Sequence, residues 1–255
     1  RVIILTHNNG NTVNFKELKK ITKKQNIYII EDAAQSYGAK YKEKFLGTVG
    51  DFGCFSFHQT KNIQCGNGGV LLIKNKKFLK NAITIWNRGT NRSDFLKGNV
   101  KKYVWIQKGS SAHLSEIQAA FLYAQLKDFK KVQNYRRFIF NRYLKKLSPI
   151  SEKVALPKIN NFNTSNYHLF YLVLPKNISR SNFINYMKAN NIQATSHYES
   201  LHLSPMVKNI LKLNIKLPVS EDLSKRIVRL PMHMNLKINQ IDLICKLVNF
   251  FFSKK

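Results

Sequence analysis

Several features that would settle a function at once are scarce in this 255-residue sequence or missing from it. It has only three cysteines, Cys54, Cys65 and Cys245, and their spacing fits neither a disulfide framework nor a metal site. No apolar run approaches the length that crosses a bilayer, and no signal-peptide pattern is present. We therefore expect reduced thiols, no bound metal, no membrane span and a cytoplasmic location.

Acidic residues are also scarce. The chain has 13 Asp and Glu against 43 Lys and Arg, which gives a formal net charge of +30. A basic module that binds nucleic acid is one interpretation of such a charge. The lysines, however, are spread along the whole chain, without a basic stripe between aromatics or a known nucleic-acid motif. We therefore favour compositional drift and expect no specific nucleic-acid partner, and a modest anionic ligand fits either interpretation.

The first residues predict a strand, a helix and a second strand. Val2–Thr6 is typical of a buried strand, and a helix is expected over residues 15–25. Ile27–Ile30 predicts the next strand, which ends in Glu31 and Asp32. A βαβ unit with short links has parallel strands, and open parallel sheets bind ligands beyond the carboxyl ends of their strands. Asp32 lies at such an end.

The rest of the chain predicts more strands and one long helix. Apolar strands at Cys54–Phe57 and Val70–Ile73 flank a polar turn that carries Lys61. A helical pattern runs from Ser115 through Tyr143, which is long enough to leave one domain and enter another. The expected division has three parts: a large domain over 1–125, a linking helix over 126–150 and a small C-terminal domain over 151–255.

Four residues of the predicted large domain indicate a cofactor site only when they are considered together. Lys61 alone is most often a solvated surface lysine, and Asp32 alone could cap a turn. Pyridoxal 5'-phosphate (PLP) needs a lysine for its Schiff base and a carboxylate opposite its pyridine nitrogen. It also needs hydroxyl donors around its phosphate. Asp32, Gln35, Ser56 and Lys61 match this set.

These residues lie in motifs that resemble the PLP-dependent nucleotide-sugar aminotransferase family (the DegT/DnrJ/StrS group), and among its members the TDP-4-amino-4,6-dideoxyhexose transaminases. The resemblance implies an α/β, aspartate-aminotransferase-like (type I PLP) fold, with a partial large domain of mostly parallel sheet and a small C-terminal α/β domain. It covers nearly all of the chain. The motifs occupy residues 31–35, 47–50, 54–62, 66–69, 88–93, 101–105, 109–111, 115–120, 197–202 and 229–231.

The resemblance also implies roles for single residues. Lys61 stands where the family has its Schiff-base lysine, and Asp32 where the family pairs the pyridinium nitrogen. Gln35 stands where a side chain contacts the ring oxygen of the cofactor. Ser56 stands where a hydroxyl binds the cofactor phosphate.

A later segment resembles the part of the family that lies near the sugar nucleotide. It contains His197, Tyr198 and His202. A role in interdomain packing is the alternative for its histidines, because a side chain with a polar tip on an apolar body suits both places.

The implied reaction transfers an amino group from glutamate to the 4-keto carbon of a TDP-4-keto-6-deoxyhexose, for amino-sugar or surface polysaccharide synthesis. Relatives form homodimers with the active site between subunits. A sugar 3-dehydratase of the family would carry His in place of Lys61, which argues against that branch. The hexose, the nucleotide and amination at C3 or C4 stay open.

Two departures from the family pattern bear on activity. His113 replaces an Asn that reaches the cofactor phosphate of the partner subunit, with Ser110 and Ser111 as possible substitutes. The family also has a segment before the strand at Val2, with a Gly-Ser/Thr turn that binds the phosphate and an aromatic residue that stacks on the ring. Neither is in this sequence, so we expect weak PLP binding by the chain as given. The alternative function is a truncated, inactive remnant acting as a non-catalytic protein.

Overall fold

The computed structural model describes residues 1–253, which form two compact units. The first unit holds Arg1–Lys131 and Asn160–Asn166, and the second holds Val132–Ile159 and the chain from Tyr167 onward. The boundary between the units falls between residues 131 and 132, inside the range 126–150 predicted for the linking helix, and Asn160–Asn166 belongs to the first unit. The predicted division into residues 1–125, 126–150 and 151–255 stays a prediction.

A four-stranded sheet organises the first unit. Its strands are β1 (Val2–Thr6), β2 (Tyr28–Asp32), β5 (Phe52–Ser56) and β6 (Gly69–Ile73), in the order β1-β2-β5-β6. The first three are parallel, as the βαβ pattern predicts, and β6 is antiparallel to β5. The carboxyl ends of three strands therefore meet at one edge, where ligands bind in open parallel sheets.

The crossover helix α1 (Phe15–Lys24) begins where its sequence predicts. Asn14 is the N-cap, and its side-chain oxygen accepts a hydrogen bond from the Lys16 N–H. Phe15, 1% exposed, anchors the helix in a core with Ile29 of β2 and Leu46. The apolar face of the helix and the inner face of the sheet thus bury each other.

Two apolar strands of the sheet, of which the first is predicted to be buried, have exposed side chains. In β1, Val2 and Ile4 are 54% and 69% exposed, and Val70 and Leu71 of β6 are 40% and 53% exposed. Both strands lie at the edges of the sheet. Apolar composition indicates a strand, but it does not tell which neighbour covers each face.

The predicted long helix is two helices, α4 (Glu116–Lys127) and α5 (Phe129–Leu147). Asp128 ends α4 with non-helical backbone angles (φ −86°, ψ 4°). The following Phe129 packs its ring on Tyr37, with the centroids 5.3 Å apart. This contact holds the start of α5 against the first unit while the apolar pattern continues across the break.

Shorter elements complete the first unit. Residues 87–115, before α4, contain a short helix, and a small three-stranded sheet brings residues 160–166 back to this unit. These elements are β3 (Lys40–Tyr41), β4 (Lys44–Phe45), α2 (Leu79–Trp86), α3 (Arg92–Leu96) and β7 (Asn163–Thr164).

The second unit packs helices on a three-stranded antiparallel sheet, whose strands are β8 (Phe170–Val173), β9 (Thr195–Ser196) and β10 (Ile227–Leu230) in the order β8-β10-β9. Its largest fully buried side chains include Tyr143, Phe170 and Phe183. The Tyr143 hydroxyl donates to the Pro231 carbonyl at 2.9 Å, so this buried polar group is satisfied. Its helices include α6 (Arg180–Ala189), α7 (Pro218–Arg226) and α8 (Ile238–Ser253).

Two searches of the described residues find nothing. None of the helices between residues 1 and 253 is long and apolar enough to span a membrane. Over the same residues, no group of three or more His, Cys, Asp or Glu is placed to hold a metal ion.

The core of the second unit can be tested with one buried and one exposed phenylalanine. Phe183 is fully buried against Phe251 and Phe252, whereas Phe250 is 48% exposed. Phe183→Ala should lower the free energy of unfolding by about 3–5 kcal/mol, because it leaves a cavity. Phe250→Ala should cost about 1 kcal/mol or less. Urea unfolding measures both, and equal losses would contradict this packing.

Candidate functional site

The end of β2 places two neighbouring carboxylates on opposite faces of the sheet. Side chains alternate along a strand, so Glu31 shares the buried face of Ile29 and Asp32 points the other way. Asp32 pairs in register with Thr6 on one side and Cys54 on the other. Asp32 is the last residue of β2, so it lies at the carboxyl end of the parallel strands, as predicted for a ligand site. Its side chain is half-buried.

Glu31 is fully buried and accepts four hydrogen bonds. His7 Nε2 lies 2.8 Å from Oε2, which also accepts from the Gly47 N–H at 2.7 Å. Oε1 accepts from the N–H groups of Val49 at 2.6 Å and Gly50 at 2.5 Å. Burial alone would raise the pKa of Glu31, but the hydrogen bonds from His7, Gly50 and Gly47 outweigh it and lower that pKa. The ionised carboxylate thus ties three chain segments together.

Lys61 lies in a hydrogen-bonded loop between β5 and β6. The Gln59 N–H donates to the Gly66 carbonyl and the Lys61 N–H to the His58 carbonyl, at 2.8 and 2.9 Å. Asn62 Nδ2 donates to the Asn166 carbonyl at 2.8 Å, which joins the loop to the returning segment. The backbone around Lys61 is thus held on both sides.

The half-buried side chain of Lys61 has a lowered pKa. Burial disfavours the ammonium and lowers the pKa, and the negative charge of Asp32 partly offsets this. The two side chains are thus close enough to interact electrostatically, and within residues 1–253 they form no direct ion pair. A lysine with a lowered pKa has more neutral amine near neutral pH, which is the form that acts as a nucleophile or base.

Ser56 and Gln35 are held by the backbone and keep hydrogen-bonding capacity. Ser56 Oγ accepts from the His58 N–H at 3.3 Å, which leaves its hydroxyl proton to donate. Gln35 Oε1 accepts from the Asn9 N–H at 3.1 Å, which leaves the two N–H donors of its amide. Together with Asp32 and Lys61 they form what we call the strand-end site, within the first unit.

The donor set of the strand-end site fits PLP. It offers an amine with a lowered pKa for the aldehyde and a carboxylate for the ring nitrogen. In the described part of the chain only Oδ1 of Asp32 is engaged, by the Ala34 N–H at 3.1 Å, so Oδ2 has capacity for a ring N–H. Ser56 supplies a hydroxyl for a phosphate oxygen.

The three predicted sugar-side residues lie in the second unit. Burial and the nearby Arg229 lower the pKa of His197, and its ring packs on Tyr198 with centroids 4.8 Å apart. His202 is buried, with Nε2 2.9 Å from Glu221 Oε1. This bond gives His202 a structural partner of its own, and the predicted substrate role of all three stays a prediction.

Residues 110–113 have contacts that the sequence did not predict. The His113 ring packs on Trp86 with centroids 4.0 Å apart and an angle of 32° between planes. Ser111 Oγ accepts from Arg88 Nε at 3.1 Å, and the Ser110 carbonyl accepts from the Arg88 N–H at 3.3 Å. The two serines predicted as substitutes at a phosphate thus both hold Arg88.

Sequence reasoning missed two residues that support the site. Asn166 Nδ2 donates to the carbonyls of Gln35 at 2.9 Å and Tyr37 at 3.3 Å, across more than a hundred residues, and no local pattern signals this. Glu31 did carry a signal, since an acid in phase with the buried Ile29 must find buried partners.

The sequence and the fold of this chain match those of known aminotransferases. The profile of the DegT/DnrJ/EryC1/StrS aminotransferase family matches residues 1–249. A crystal structure of a DegT DnrJ EryC1 StrS aminotransferase from Brucella abortus is 27% identical, with a TM-score of 0.84, over 98% of this chain and 64% of that one. The likeness confirms the predicted α/β, aspartate-aminotransferase-like (type I PLP) fold.

Two curated relatives act on or make nucleotide sugars by name. GDP-perosamine synthase of Escherichia coli O157:H7 is 26% identical over the whole of this chain and 66% of its own length. The dTDP-3-amino-3,4,6-trideoxy-alpha-D-glucose transaminase of Streptomyces venezuelae is 25% identical over 93% of this chain and 60% of its own. The chain thus spans less than two thirds of the length of these relatives.

The buried carboxylate of Glu31 predicts an acid-dependent loss of stability. Its pKa is lowered on folding, so its contribution is present above the unfolded pKa of about 4.3 and is lost as pH falls through the folded value. Glu31→Gln, which places an amide N–H₂ against N–H donors, should cost about 3 kcal/mol at pH 7. Urea unfolding at pH 7 and pH 3 should show that the difference in the free energy of unfolding between wild type and Glu31→Gln becomes smaller in acid.

The control is Glu43→Gln, whose side chain is 96% exposed. It should change the free energy of unfolding by less than about 0.5 kcal/mol at either pH. A Glu31→Gln gap that stays constant down to pH 3 would contradict the role of the ionised carboxylate.

Proposed function

The chain belongs to the DegT/DnrJ/EryC1/StrS aminotransferase family, and from that premise we propose that it serves PLP-dependent transfer of an amino group to a nucleotide-linked keto sugar. The observation that carries the proposal is the lowered pKa of Lys61 within reach of the charge of Asp32, at the carboxyl end of parallel strands. An amine with a lowered pKa and a carboxylate held at one sheet edge are what this chemistry requires.

Lys61 and Asp32 divide the proton chemistry between them. PLP, when bound, supplies the electron sink for the bond that breaks at the carbon bearing the amino group. Asp32 keeps a ring N–H protonated through its carboxylate, because the anion accepts the hydrogen bond and stabilises the positive charge. Burial of Lys61 Nζ favours the neutral amine. This amine would carry the proton between the substrate carbon that bears the amino group and the cofactor.

Ser56 and Gln35 would position the cofactor and would transfer no proton. The Ser56 hydroxyl donates to a phosphate oxygen, and the Gln35 amide donates to the ring oxygen. Both are already held by backbone N–H groups, so little side-chain freedom is lost on binding. His197, Tyr198 and His202 are assigned to the sugar-nucleotide side as a further part of the proposal.

The proposed amino acceptor is a TDP-4-keto-6-deoxyhexose, and the proposed donor is glutamate. The name of the Streptomyces venezuelae relative supports a dTDP-linked sugar, whereas the Escherichia coli relative is named for a GDP-linked one. The nucleotide is therefore the first variable for an assay, with TDP- and GDP-linked keto sugars in parallel.

The proposed active form is a homodimer with the active site between subunits. Exposed apolar side chains support a second copy, because monomers rarely leave so large an apolar surface uncovered. Those on residues 103–121 include Tyr103, Trp105, Ile106, Ile117 and Phe121, of which Trp105 and Ile117 are 75% and 85% exposed.

Transamination is tested with the chain, added PLP, glutamate and the TDP-linked keto sugar. Release of 2-oxoglutarate should depend on both substrates and fall at least about a thousandfold in Lys61→Ala, since the group that moves the proton is gone. The control is Lys97→Ala, an exposed lysine whose loss should leave the rate unchanged. Full activity in Lys61→Ala, or no release from PLP-loaded wild type with either nucleotide, would refute the proposal.

Cofactor attachment gives a second test that needs no sugar substrate. Borohydride reduction after incubation with excess PLP should leave the pyridoxyl group on Lys61, as peptide mass spectrometry can locate. Because the pKa of Lys61 is lowered, labelling of Lys61 relative to the exposed Lys97 should be highest near neutral pH and fall as pH approaches about 10.4. A pH-independent ratio, or labelling spread evenly over exposed lysines, would contradict the assignment.

A further inference from the structure

A basic and apolar segment of the second unit lies outside the residues used so far. It covers residues 208–219, which we call the lysine–leucine segment, and every residue in it is exposed to solvent. Exposed apolar side chains that cluster, rather than lie singly, mark a surface that contacts another protein or a membrane. Half of the twelve residues are bulky aliphatics that are 44–72% exposed: Ile210, Leu211, Leu213, Ile215, Leu217 and Val219.

The segment carries positive charge and no negative charge. Lys208, Lys212 and Lys216 recur every four residues, and no Asp or Glu occurs between Glu199 and Glu221. Those two acids are engaged by other side chains. In the part of the chain that the structure describes, none of the three lysines is in an ion pair. Their charge is therefore complementary to an anionic surface outside the chain.

The backbone of the segment is held at two points and unpaired between them. The Leu213 N–H donates to the Val207 carbonyl at 3.2 Å, and the Leu217 N–H donates to Glu221 Oε1 at 3.0 Å. Among the described residues, the N–H groups of residues 214–216 find no acceptor. Unpaired N–H groups need water, so this backbone suits the hydrated headgroup level of a bilayer and not its hydrocarbon core.

The composition of the segment favours a lipid surface over a protein partner. The centres of protein interfaces are enriched in aromatic residues and Arg and depleted in Lys. Residues 206–219 contain no aromatic residue and no Arg, and their polar side chains are all Lys or Asn. Aliphatic side chains beside lysines suit an anionic bilayer, because the apolar groups enter the acyl boundary while the ammonium groups stay among the headgroups.

Charge also argues against a second copy of this chain on the segment. A symmetric dimer places the same patch of both copies in contact. Here it would set three lysines against three lysines, with no acid in either segment to separate them. Such like-charge contacts disfavour association, whereas an anionic bilayer meets the same lysines with opposite charge.

We propose that the lysine–leucine segment binds the surface of an anionic phospholipid bilayer. The three lysines contact the anionic headgroups, and the aliphatic side chains enter the boundary between headgroups and acyl chains. The interaction is independent of the proposed function, because the strand-end site lies in the first unit. Lys61→Ala should therefore bind vesicles as wild type does.

The test measures binding of the whole chain to sedimented vesicles in 0.15 M NaCl, where the Debye length of about 8 Å screens diffuse attraction by the net charge. The vesicles consist of phosphatidylcholine alone, or of phosphatidylcholine with about 30% phosphatidylglycerol, which makes the surface anionic. The chain should bind the anionic vesicles at least about tenfold more tightly than the neutral ones, since three lysines contribute.

Paired charge variants separate the segment from the net charge. The double variant Lys212→Gln/Lys216→Gln should bind anionic vesicles about 25-fold more weakly, because each lysine at such a surface contributes about fivefold. Lys20→Gln/Lys24→Gln removes the same charge from two exposed lysines of α1, in the first unit. This control should weaken binding less than about twofold, since its lysines lie outside the contact.

Paired apolar variants test the aliphatic contact. Leu213→Gln/Ile215→Gln should weaken binding to anionic vesicles about tenfold or more, because both side chains lose their place in the acyl boundary. Ile238→Gln/Leu243→Gln makes a matched change in α8, at side chains that are 50% and 47% exposed, and should leave binding unchanged. Thermal unfolding of each variant checks that it folds.

Three results with vesicles would overturn the proposal. The first is that the folded wild type does not bind anionic vesicles. The second is equal weakening by the two pairs of lysine variants, which would mean that only net charge attracts the chain. The third is binding of Leu213→Gln/Ile215→Gln as tight as that of wild type, which would leave the aliphatic side chains without contact to lipid.

Two further results would give the segment to another occupant. Sedimentation velocity without lipid could show a dimer that Leu213→Gln/Ile215→Gln abolishes and that does not bind vesicles, which would assign the segment to a second copy. Soluble polyglutamate could bind more tightly than anionic vesicles, with the same dependence on Lys212 and Lys216, which would assign it to an acidic protein. Either result would overturn the assignment to a bilayer.

Discussion

The carboxylate of Glu31 is the constraint on which the ligand edge of the first unit depends. It is completely removed from solvent, and such burial costs several kcal/mol for an unpaired charge. Four donors offset that cost: His7, which directly follows β1, and the N–H groups of Gly47, Val49 and Gly50 in the loop between β4 and β5. One side chain therefore joins two parallel strands and a loop, and none of these segments can shift without exposing the charge.

The position of Asp32 depends on the hydrogen bonds of Glu31, in which the Asp32 side chain takes no part. It follows Glu31 directly and lies on the opposite face, so fixing one side chain fixes the direction of the other. The register with Thr6 and Cys54 then sets its height in the sheet. Lys61 is held separately, by the turn between β5 and β6 and by the bond from Asn62 to Asn166. The spacing between the carboxylate and the amine is thus set by backbone hydrogen bonds rather than by an ion pair between them.

This division explains what the sequence could predict. The strands and α1 come from local apolar periods, and Asp32, Ser56 and Lys61 were found because each follows or ends a strand. The exposed faces of β1, the break at Asp128 and the bond from Asn166 to Gln35 escaped, because each depends on residues distant in sequence. A period of 3.6 or 2 residues reports which side of an element is apolar, but it does not report what covers that side or which loop a buried acid ties down.

Net charge illustrates the same limit for function. A charge of +30 attracts any anion over several ångströms and so raises the local concentration of nucleotides, cofactor phosphate and nucleic acid alike. Selection among these ligands requires binding-site groups that one ligand leaves satisfied and another leaves unpaired.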